Sequence, residues 1–254
     1  MKAGGESVRR KTLTLVVPVY REHRRLLGSL RAISEFIRQT ADLEVDAVLV
    51  DDGSPDDTAE VIEAYVREQG ARQIRLVRYP VNRGKGYAVK TGVREARGDL
   101  ILMSDADLST PLSDWLVLRA AVEAGADIAC GSRVVPGAHI GKPPPWHRRI
   151  LSRVFNLLVR ASGVHGFRDT QCGFKLFTAE AARAVFGGLR IERFAFDVEL
   201  LARARDLGFR VAEVPVNWDY SGHSTVRLFS SGGRMLWDLM LLALRRAVFG
   251  RAKA

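Results

Sequence analysis

Cysteine is nearly absent from this chain of 254 residues: there are two, Cys130 and Cys172. Two cysteines so far apart make no disulfide framework and have no metal-ligand spacing. A single bridge stays open, and the reading adopted is buried thiols in a reducing compartment. Long apolar runs are missing too. No window of about 18 uncharged apolar residues exists, so no helix is expected to span a bilayer. Acid is missing from one stretch: between Ile128 and Arg168 there is neither Asp nor Glu, but there are Arg133, Lys142, Arg148, Arg149, Arg153, Arg160 and Arg168. Beyond Tyr220 the only acid is Asp238, against six Lys or Arg. The net charge of +10 therefore belongs mainly to the second half, the first 127 residues being close to balance. Such a half implies an anionic partner: phosphate, an anionic membrane face, or both. The spacings G-x-G-x-x-G and GxxxxGK[ST] do not occur, which leaves dinucleotide and P-loop readings without support. Gly84-Lys85-Gly86 keeps a weaker reading, a loop whose backbone donors and lysine face a phosphate. Residues 1–11 are polar and basic, and read as a flexible tail rather than a signal peptide.

What is present is an ample core, 47% of residues being hydrophobic, and an alternation of strands and helices. Residues 12–17 form a β-rich run that ends at Pro18-Val19-Tyr20-Arg21-Glu22. Leu26, Leu27, Leu30, Ile33 and Ile37 then recur at helical spacing. A second run at 45–50 closes on Asp51-Asp52-Gly53-Ser54, and a helix follows from Thr58. A third strand at 74–79 leads through Asn82-Arg83-Gly84-Lys85-Gly86 into a helix at 87–96. The fourth is Leu100-Ile101-Leu102-Met103. Pro111 opens a helix to Ala124, and 127–130 begins a fifth strand. This order predicts βαβ units, hence an α/β fold with a mostly parallel sheet flanked by helices. The stretch 136–145, rich in Gly and Pro, reads as a mobile loop. After it the reading is a helix near 146–161, a tight segment at 169–177, two helices, a strand at 211–218 and a terminal helix.

Three strands end in polar clusters, where open α/β sheets place ligands. Asp105 and Asp107, one alanine apart, repel each other in a low dielectric unless a cation lies between them. A hard divalent ion completed by phosphate and water answers that arrangement. Asp51, directly after its apolar run, is placed to hydrogen-bond a ribose or base. Ser54 or Asp56 reads equally well as a cap for the helix at Thr58.

In combination, Val17-Pro18-Val19-Tyr20-x-Glu22, Val50-Asp51-Asp52-Gly53-Ser54-x-Asp56, Asn82-x-Gly84-Lys85-Gly86 and Asp105-Ala106-Asp107 resemble a family 2 glycosyltransferase of the Rossmann-like GT-A fold. The resemblance covers about residues 12–227, leaving 228–254 as a basic amphipathic C-terminal helix. Within the family the chain is similar to polyprenyl-phosphate sugar synthases. Arg168-Asp169-Thr170-Gln171-Cys172-Gly173-Phe174-Lys175 and Phe194-Ala195-Phe196-Asp197-Val198-Glu199 look more like the dolichyl-phosphate β-glucosyltransferases than the mannosyl enzymes. The resemblance implies a sugar nucleotide across the strand ends, UDP-glucose or alternatively GDP-mannose. Pro18, Tyr20, Glu22 and Asp51 would hold base and ribose. Asp52 and Lys85 would lie near the nucleotide or sugar, and the Asp105-Ala106-Asp107 turn would meet the nucleotide sugar, with Asp105 and Asp107 binding Mg2+ or Mn2+ against the diphosphate. A glutamine ligand of the mannosyl relatives is Ser109 here. Ser132-Arg133 matches a pair that places the arginine on acceptor phosphate. Gly222-His223-Ser224-Thr225 resembles a closing loop whose lysine has become Thr225, so that Ser224 with Arg227 or His223 would meet the phosphate.

The implied reaction is inverting transfer from the sugar nucleotide to a polyprenyl or dolichyl phosphate. Arg133 and Arg168 are candidates for the acceptor phosphate, since guanidinium binds it bidentately. Asp197 and Glu199 stand where relatives with hydroxyl acceptors keep a base, and that class of acceptor remains an alternative. Both could equally pair with Arg193 or Arg203. Ile150, Val154, Leu157, Leu158 and Ala161 recur at helical spacing, and 236–244 is apolar except for Asp238, with Arg245-Arg246 following. Basic amphipathic helices of this kind suit a membrane surface, core packing or a homodimer. The implied location is peripheral, on the cytoplasmic face. A nucleic-acid-binding module would use the basic half but has no use for three acidic strand ends.

Overall fold

The computed structural model describes residues 10–143, 145–146, 155–160, 163–220 and 228–249. The strands are β1 (Thr12–Val19), β2 (Glu44–Asp51), β3 (Ile74–Arg78), β4 (Leu100–Met103), β5 (Ile128–Ser132), β6 (His139–Ile140), β7 (Lys175–Thr178), β8 (Val211–Pro215) and β9 (Asn217–Trp218). The helices are α1 (Leu26–Gln39), α2 (Thr58–Gln69), α3 (Lys85–Glu95), α4 (Trp115–Glu123), α5 (Ala179–Gly187), α6 (Phe196–Asp206) and α7 (Leu228–Phe249). Seven strands form one sheet in the order β3-β2-β1-β4-β7-β5-β8. All neighbours are parallel except β7, which runs antiparallel to β4 and to β5. The expected α/β sheet is therefore present.

The alternation of side chains sorts the core into two layers. Val16, Ile101, Met103, Ile128 and Phe177 point to one side, against α3, α5 and α6. Leu13, Leu15, Val17, Leu102 and Leu176 point to the other, against α1, α2 and α4. Both faces of β4 are covered, as its unbroken apolar run requires.

The β1–β4 register decides where the acids of β4 emerge, and side chains pin it. Thr12 Oγ1 donates to Asp99 Oδ2 at 3.0 Å and accepts from the Asp99 N–H at 2.9 Å. Thr14 Oγ1 accepts the Gly98 N–H at 2.9 Å and donates to Asp46 at 2.6 Å. Pro18 lies within β1, but the β4 pairing ends at Val16–Met103, so its missing N–H breaks no bond to β4.

Four expectations need correction. The tight segment at 169–177 contains β7, a central strand. Four residues opening on a buried lysine give no periodicity to read. The strand expected at 211–218 is two: Pro215 ends β8, and β9 pairs with β6 in a separate two-stranded sheet. The loop at 136–145 thus carries a strand. Asp114 closes the first turn of the helix after Pro111 as 3-10 before α4 begins, and its carboxylate accepts the Asn217 N–H at 2.6 Å. Of the helix near 146–161, residues 155–160 are helical. The rest of that helix, most of the tail at 1–11 and the 222–225 loop with Ser224 and Arg227 lie outside the described residues.

Gly98 turns the chain where a Cβ would sit 2.5 Å from Leu100 O and 2.6 Å from Thr14 N. Both are backbone atoms of the pinned register. Gly98→Ala should lower stability by roughly 1–3 kcal/mol in urea unfolding. An unchanged midpoint would mean that this turn does not fix the β1–β4 register.

Candidate active site

The carboxyl ends of β1, β2 and β4 converge, and hydrogen bonds between their loops hold them together. The Arg21 N–H donates to Ser54 Oγ, and the Glu22 and His23 N–H groups donate to Thr58 Oγ1. Arg21 and Leu108 have φ of 57° and 47°, the only positive values outside glycine among the described residues. One follows Tyr20 and the other follows Asp107. Left-handed backbone at a bulky residue is sterically costly, and such positions cluster at functional sites. The Asp105-Ala106-Asp107 turn is further fixed by Ser29 Oγ donating to Ala106 O at 2.6 Å and by the Ser109 N–H on Asp107 Oδ1 at 3.1 Å.

Lys85 Nζ lies 2.5 Å from Asp105 Oδ1, with their side chains 19% and 40% exposed. Burial works to raise the Asp105 carboxyl, but the ammonium of Lys85, with Lys175 and Arg133 beyond it, holds it below the usual carboxylate range. Asp52 builds the loop that carries Lys85. Its carboxylate accepts the Tyr79 hydroxyl (2.8 Å), Asn82 Nδ2 (2.8 Å) and the N–H groups of Arg83 and Gly84 (both 2.8 Å). These donors are what Asp52, expected near the nucleotide or sugar, engages in the structure, and they fix the loop that carries Lys85. Asp51 is buried and accepts the Ser54 N–H at 3.1 Å. Glu22 is paired with Arg25 at 2.7 Å. Burial, reinforced by the charge of Asp107, raises the Glu22 carboxyl despite Arg25. The proposed cap at Ser54 is instead the acceptor for Arg21, whereas Asp56 accepts both the O–H (2.6 Å) and N–H (3.4 Å) of Thr58.

Behind Asp105 lies a second ion pair, which the sequence reading missed. Lys175, wholly buried in β7, places Nζ 2.6 Å from Asp197 Oδ1 in the first turn of α6, and also donates to Cys172 O at 2.5 Å. Burial would lower the Lys175 ammonium, and Asp197 beside it raises it instead. The turn that Lys175 closes brings Gly173 against Asp105: a Cβ there would fall 2.2 Å from Asp105 Oδ2. Asp197 is therefore neither a free base nor an arginine partner, and Glu199 accepts the Arg190 and Ile191 N–H groups at 3.0 and 2.6 Å. A lone lysine inside the apolar run Phe174-Lys175-Leu176-Phe177 was the available signal, because a fully buried lysine requires a partner.

Arg133 leaves β5 and grips Asp169 through Nε (2.7 Å) and Nη2 (2.8 Å), with its guanidinium 5.3 Å from the Trp218 ring centre. Glu213 accepts the N–H groups of Arg168 and Asp169 at 2.9 and 2.8 Å, leaving the Arg168 side chain exposed. Ser132 Oγ, Thr170 Oγ1 and Gln171 Nε2 are buried without a hydrogen-bond partner among the described residues. Such groups are rare and call for a ligand or water. Cys130 and Cys172 are both free. Burial pushes the Cys130 thiol up to about 12, which keeps it protonated and inert.

Among the described residues no three His, Cys, Asp or Glu side chains are grouped to hold a metal. Asp105 and Asp107 offer two carboxylates from one turn. That donor set fits Mg2+ or Mn2+ held by one or two carboxylates and completed by substrate oxygens.

Lys175→Met should cost about 3–5 kcal/mol in urea unfolding, because Asp197 is left charged and buried. Lys175→Met with Asp197→Leu should recover most of the loss. A double variant as unstable as the single one would show that the pair is not the cause.

Comparison with known proteins agrees with this arrangement. Residues 14–186 match the profile of "Glycosyl transferase family 2". Dolichyl-phosphate beta-glucosyltransferase of Dictyostelium discoideum is 38% identical over 243 residues, 92% of this chain and 74% of that protein. The Homo sapiens protein of the same name is 39% identical over 249 residues, 92% and 76%. Among solved structures, glucosyl-3-phosphoglycerate synthase from Mycobacterium tuberculosis with Mn2+ and UDP-Glc superposes with a TM-score of 0.64 at 18% identity, covering 93% of this chain and 79% of that one. Mannosyltransferase PcManGT from Pyrobaculum calidifontis with GDP-Man and Mn2+ gives 0.63 at 20% identity, covering 95% and 65%. With the sheet, the strand-end acids and these matches together, the chain belongs to glycosyl transferase family 2 and has the GT-A fold.

Proposed function

We propose that this protein transfers glucose from UDP-glucose to a polyprenyl phosphate of the dolichyl type, with inversion at the anomeric carbon. The observation that carries the reading is the match over some nine tenths of the chain to relatives named dolichyl-phosphate beta-glucosyltransferase. The site geometry supports it. Pro18, Tyr20, Glu22 and Asp51 border the base and ribose. Asp105 and Asp107 would hold Mg2+ or Mn2+, which when bound neutralises the leaving diphosphate. Lys85, held at the turn by Asp105, supplies a fixed cation for the same charge.

An acceptor phosphate monoester is already anionic, its second pKa being about 6. It needs no general base, unlike a hydroxyl. That agrees with an Asp197 engaged by Lys175. Arg133 keeps Nη1 free of Asp169 and can present it to the acceptor phosphate, with the exposed Arg168 beside it. Ser132 Oγ, Thr170 Oγ1 and Gln171 Nε2, without a partner among the described residues, neighbour Arg133 and Asp169 in the chain and suit phosphate or sugar oxygens.

A lipid acceptor requires access to a membrane. No described helix is long and apolar enough to cross one. On α7, Leu239 and Leu242 pack into the core, whereas Leu236, Trp237, Met240 and Leu244 are exposed along one face. We assign that face to the membrane surface, with 12–227 as the catalytic unit and 228–254 as its basic interfacial extension. Free buried thiols fit the cytoplasmic side of that membrane.

The test is transfer of radiolabelled glucose to polyprenyl phosphate in detergent. Asp107→Asn should stay folded and lose about 100-fold or more of its divalent-dependent turnover. Full activity in that variant would remove the metal assignment. Arg133→Lys keeps a charge for Asp169 but loses the fork, and should raise KM for the lipid roughly tenfold with the KM for UDP-glucose unchanged. Equal rises in both would place Arg133 elsewhere in the site.

A further inference from the structure

A cavity of about 330 Å³ opens between α7 and the loop that precedes Lys85, with Asn82 and Arg83 on the loop side. Arg83, Arg190, Arg193 and Arg245 line it, with Glu192 and Asp238 as the only acids. Asp105, Asp107, Glu22 and Asp51 are not among its lining residues, and Asp52 stands behind the lining, accepting from Asn82 Nδ2 and the Arg83 N–H. Its volume falls in the range of about 300–1,000 Å³ typical of small-ligand sites. Arg83 is already held, paired with Glu192 and packed 3.6 Å from the Tyr87 ring centre. The side chains of Arg190, Arg193 and Arg245 form no hydrogen bond or ion pair among the described residues. The backbone that presents Arg190 is fixed by Glu199. Several guanidinium groups converging on one cavity without enough acid to satisfy them make a site for a polyvalent anion.

The helical period of α7 adds a second observation. Positions 238, 241 and 245 face the cavity. They fall between the buried 239 and 242 on one flank and the exposed 236, 237, 240 and 244 on the other. The basic cavity therefore adjoins the exposed apolar face of the same helix. A phosphate group at a lipid–water boundary has that juxtaposition of charge and hydrocarbon.

We propose that this cavity binds a phosphate group, distinct from the donor and the acceptor of transfer, supplied by an anionic phospholipid headgroup or by a free phosphate. The inference goes beyond the proposed transfer and is tested apart from it. The variant is Arg190→Gln with Arg245→Gln. Its control, Arg67→Gln with Arg72→Gln, removes the same charge from exposed positions around the end of α2.

Flotation with vesicles of phosphatidylcholine, with and without phosphatidylglycerol, reads the lipid source. Calorimetric titration with inorganic phosphate in EDTA reads the free one. If a headgroup is the ligand, the cavity variant loses at least about tenfold in binding to anionic vesicles and the control much less. If free phosphate is the ligand, both variants bind vesicles alike and only the cavity variant loses the phosphate heat. Equal behaviour of the two variants in both measurements overturns the proposal. Glucosyl transfer to detergent-solubilised acceptor should match wild type within about twofold. A much larger fall there would merge the cavity with the transfer site and likewise overturn it, whereas inactivity of the wild type with intact phosphate binding would count against the proposed function alone.

Discussion

An ammonium and a carboxylate 2.5 Å apart, Lys85 and Asp105, form the contact around which the surrounding elements are arranged. Each partner is delivered by a loop that something else holds. Asp52 gathers Tyr79, Asn82 and two backbone amides so that the chain enters α3 with Lys85 directed at β4. Lys175 and Asp197 close the turn that sets Gly173 against Asp105 from the other side. The Thr12–Asp99 and Thr14–Gly98 hydrogen bonds fix how far β4 runs before its acids emerge. Much of the buried charge in this molecule thus serves geometry: it holds groups whose own charges are presented to a ligand.

The chemistry inferred for the family explains why that geometry is electrostatic. Both substrates of the proposed transfer carry phosphate, and two anions have to approach within bonding distance. In that proposal Lys85, Arg133 and Arg168 would border the approach. Asp105 and Asp169 hold two of these cations in place, at the cost of part of their charge. In the two proposals the positive charge of the second half would be used around the acceptor corner, in the cavity beside α7 with Arg83, and on the C-terminal helix. Burial raises the Glu22 and Asp52 carboxyls, against Arg25 on the one and the donors of the Lys85 loop on the other.

The parallel βα units could be read directly, because β1, β2 and β4 are largely buried on both faces and so carry the apolar runs at 15–19, 47–50 and 100–103. Asp105 and Asp107 stood out in the sequence as two acids closing an apolar run, and the structure sets them on one turn, held by Ser29 and the Ser109 N–H, with Lys85 on Asp105. What could not be read is long-range pairing. Nothing in the sequence around Asp52 announced its protein partners, which lie about 30 residues on. Asp197 looked like a base, since its partner sits in a four-residue strand with no period. Asp169 gave no sign that it would engage the arginine expected to meet phosphate. In each case the residue type revealed that a charge mattered, and only the fold revealed which opposite charge it faced.

The central claim is that the strand-end acids and Lys85 form a metal-assisted site for a uridine sugar nucleotide. Calorimetry with UDP-glucose and with GDP-mannose, each with and without Mn2+, tests it most directly. The account predicts binding of UDP-glucose that depends on Mn2+ and is lost in Asp107→Asn, with GDP-mannose bound at least about tenfold more weakly, a difference of about 1.4 kcal/mol. Binding of UDP-glucose that ignores both the metal and Asp107, or a preference for GDP-mannose, would contradict it.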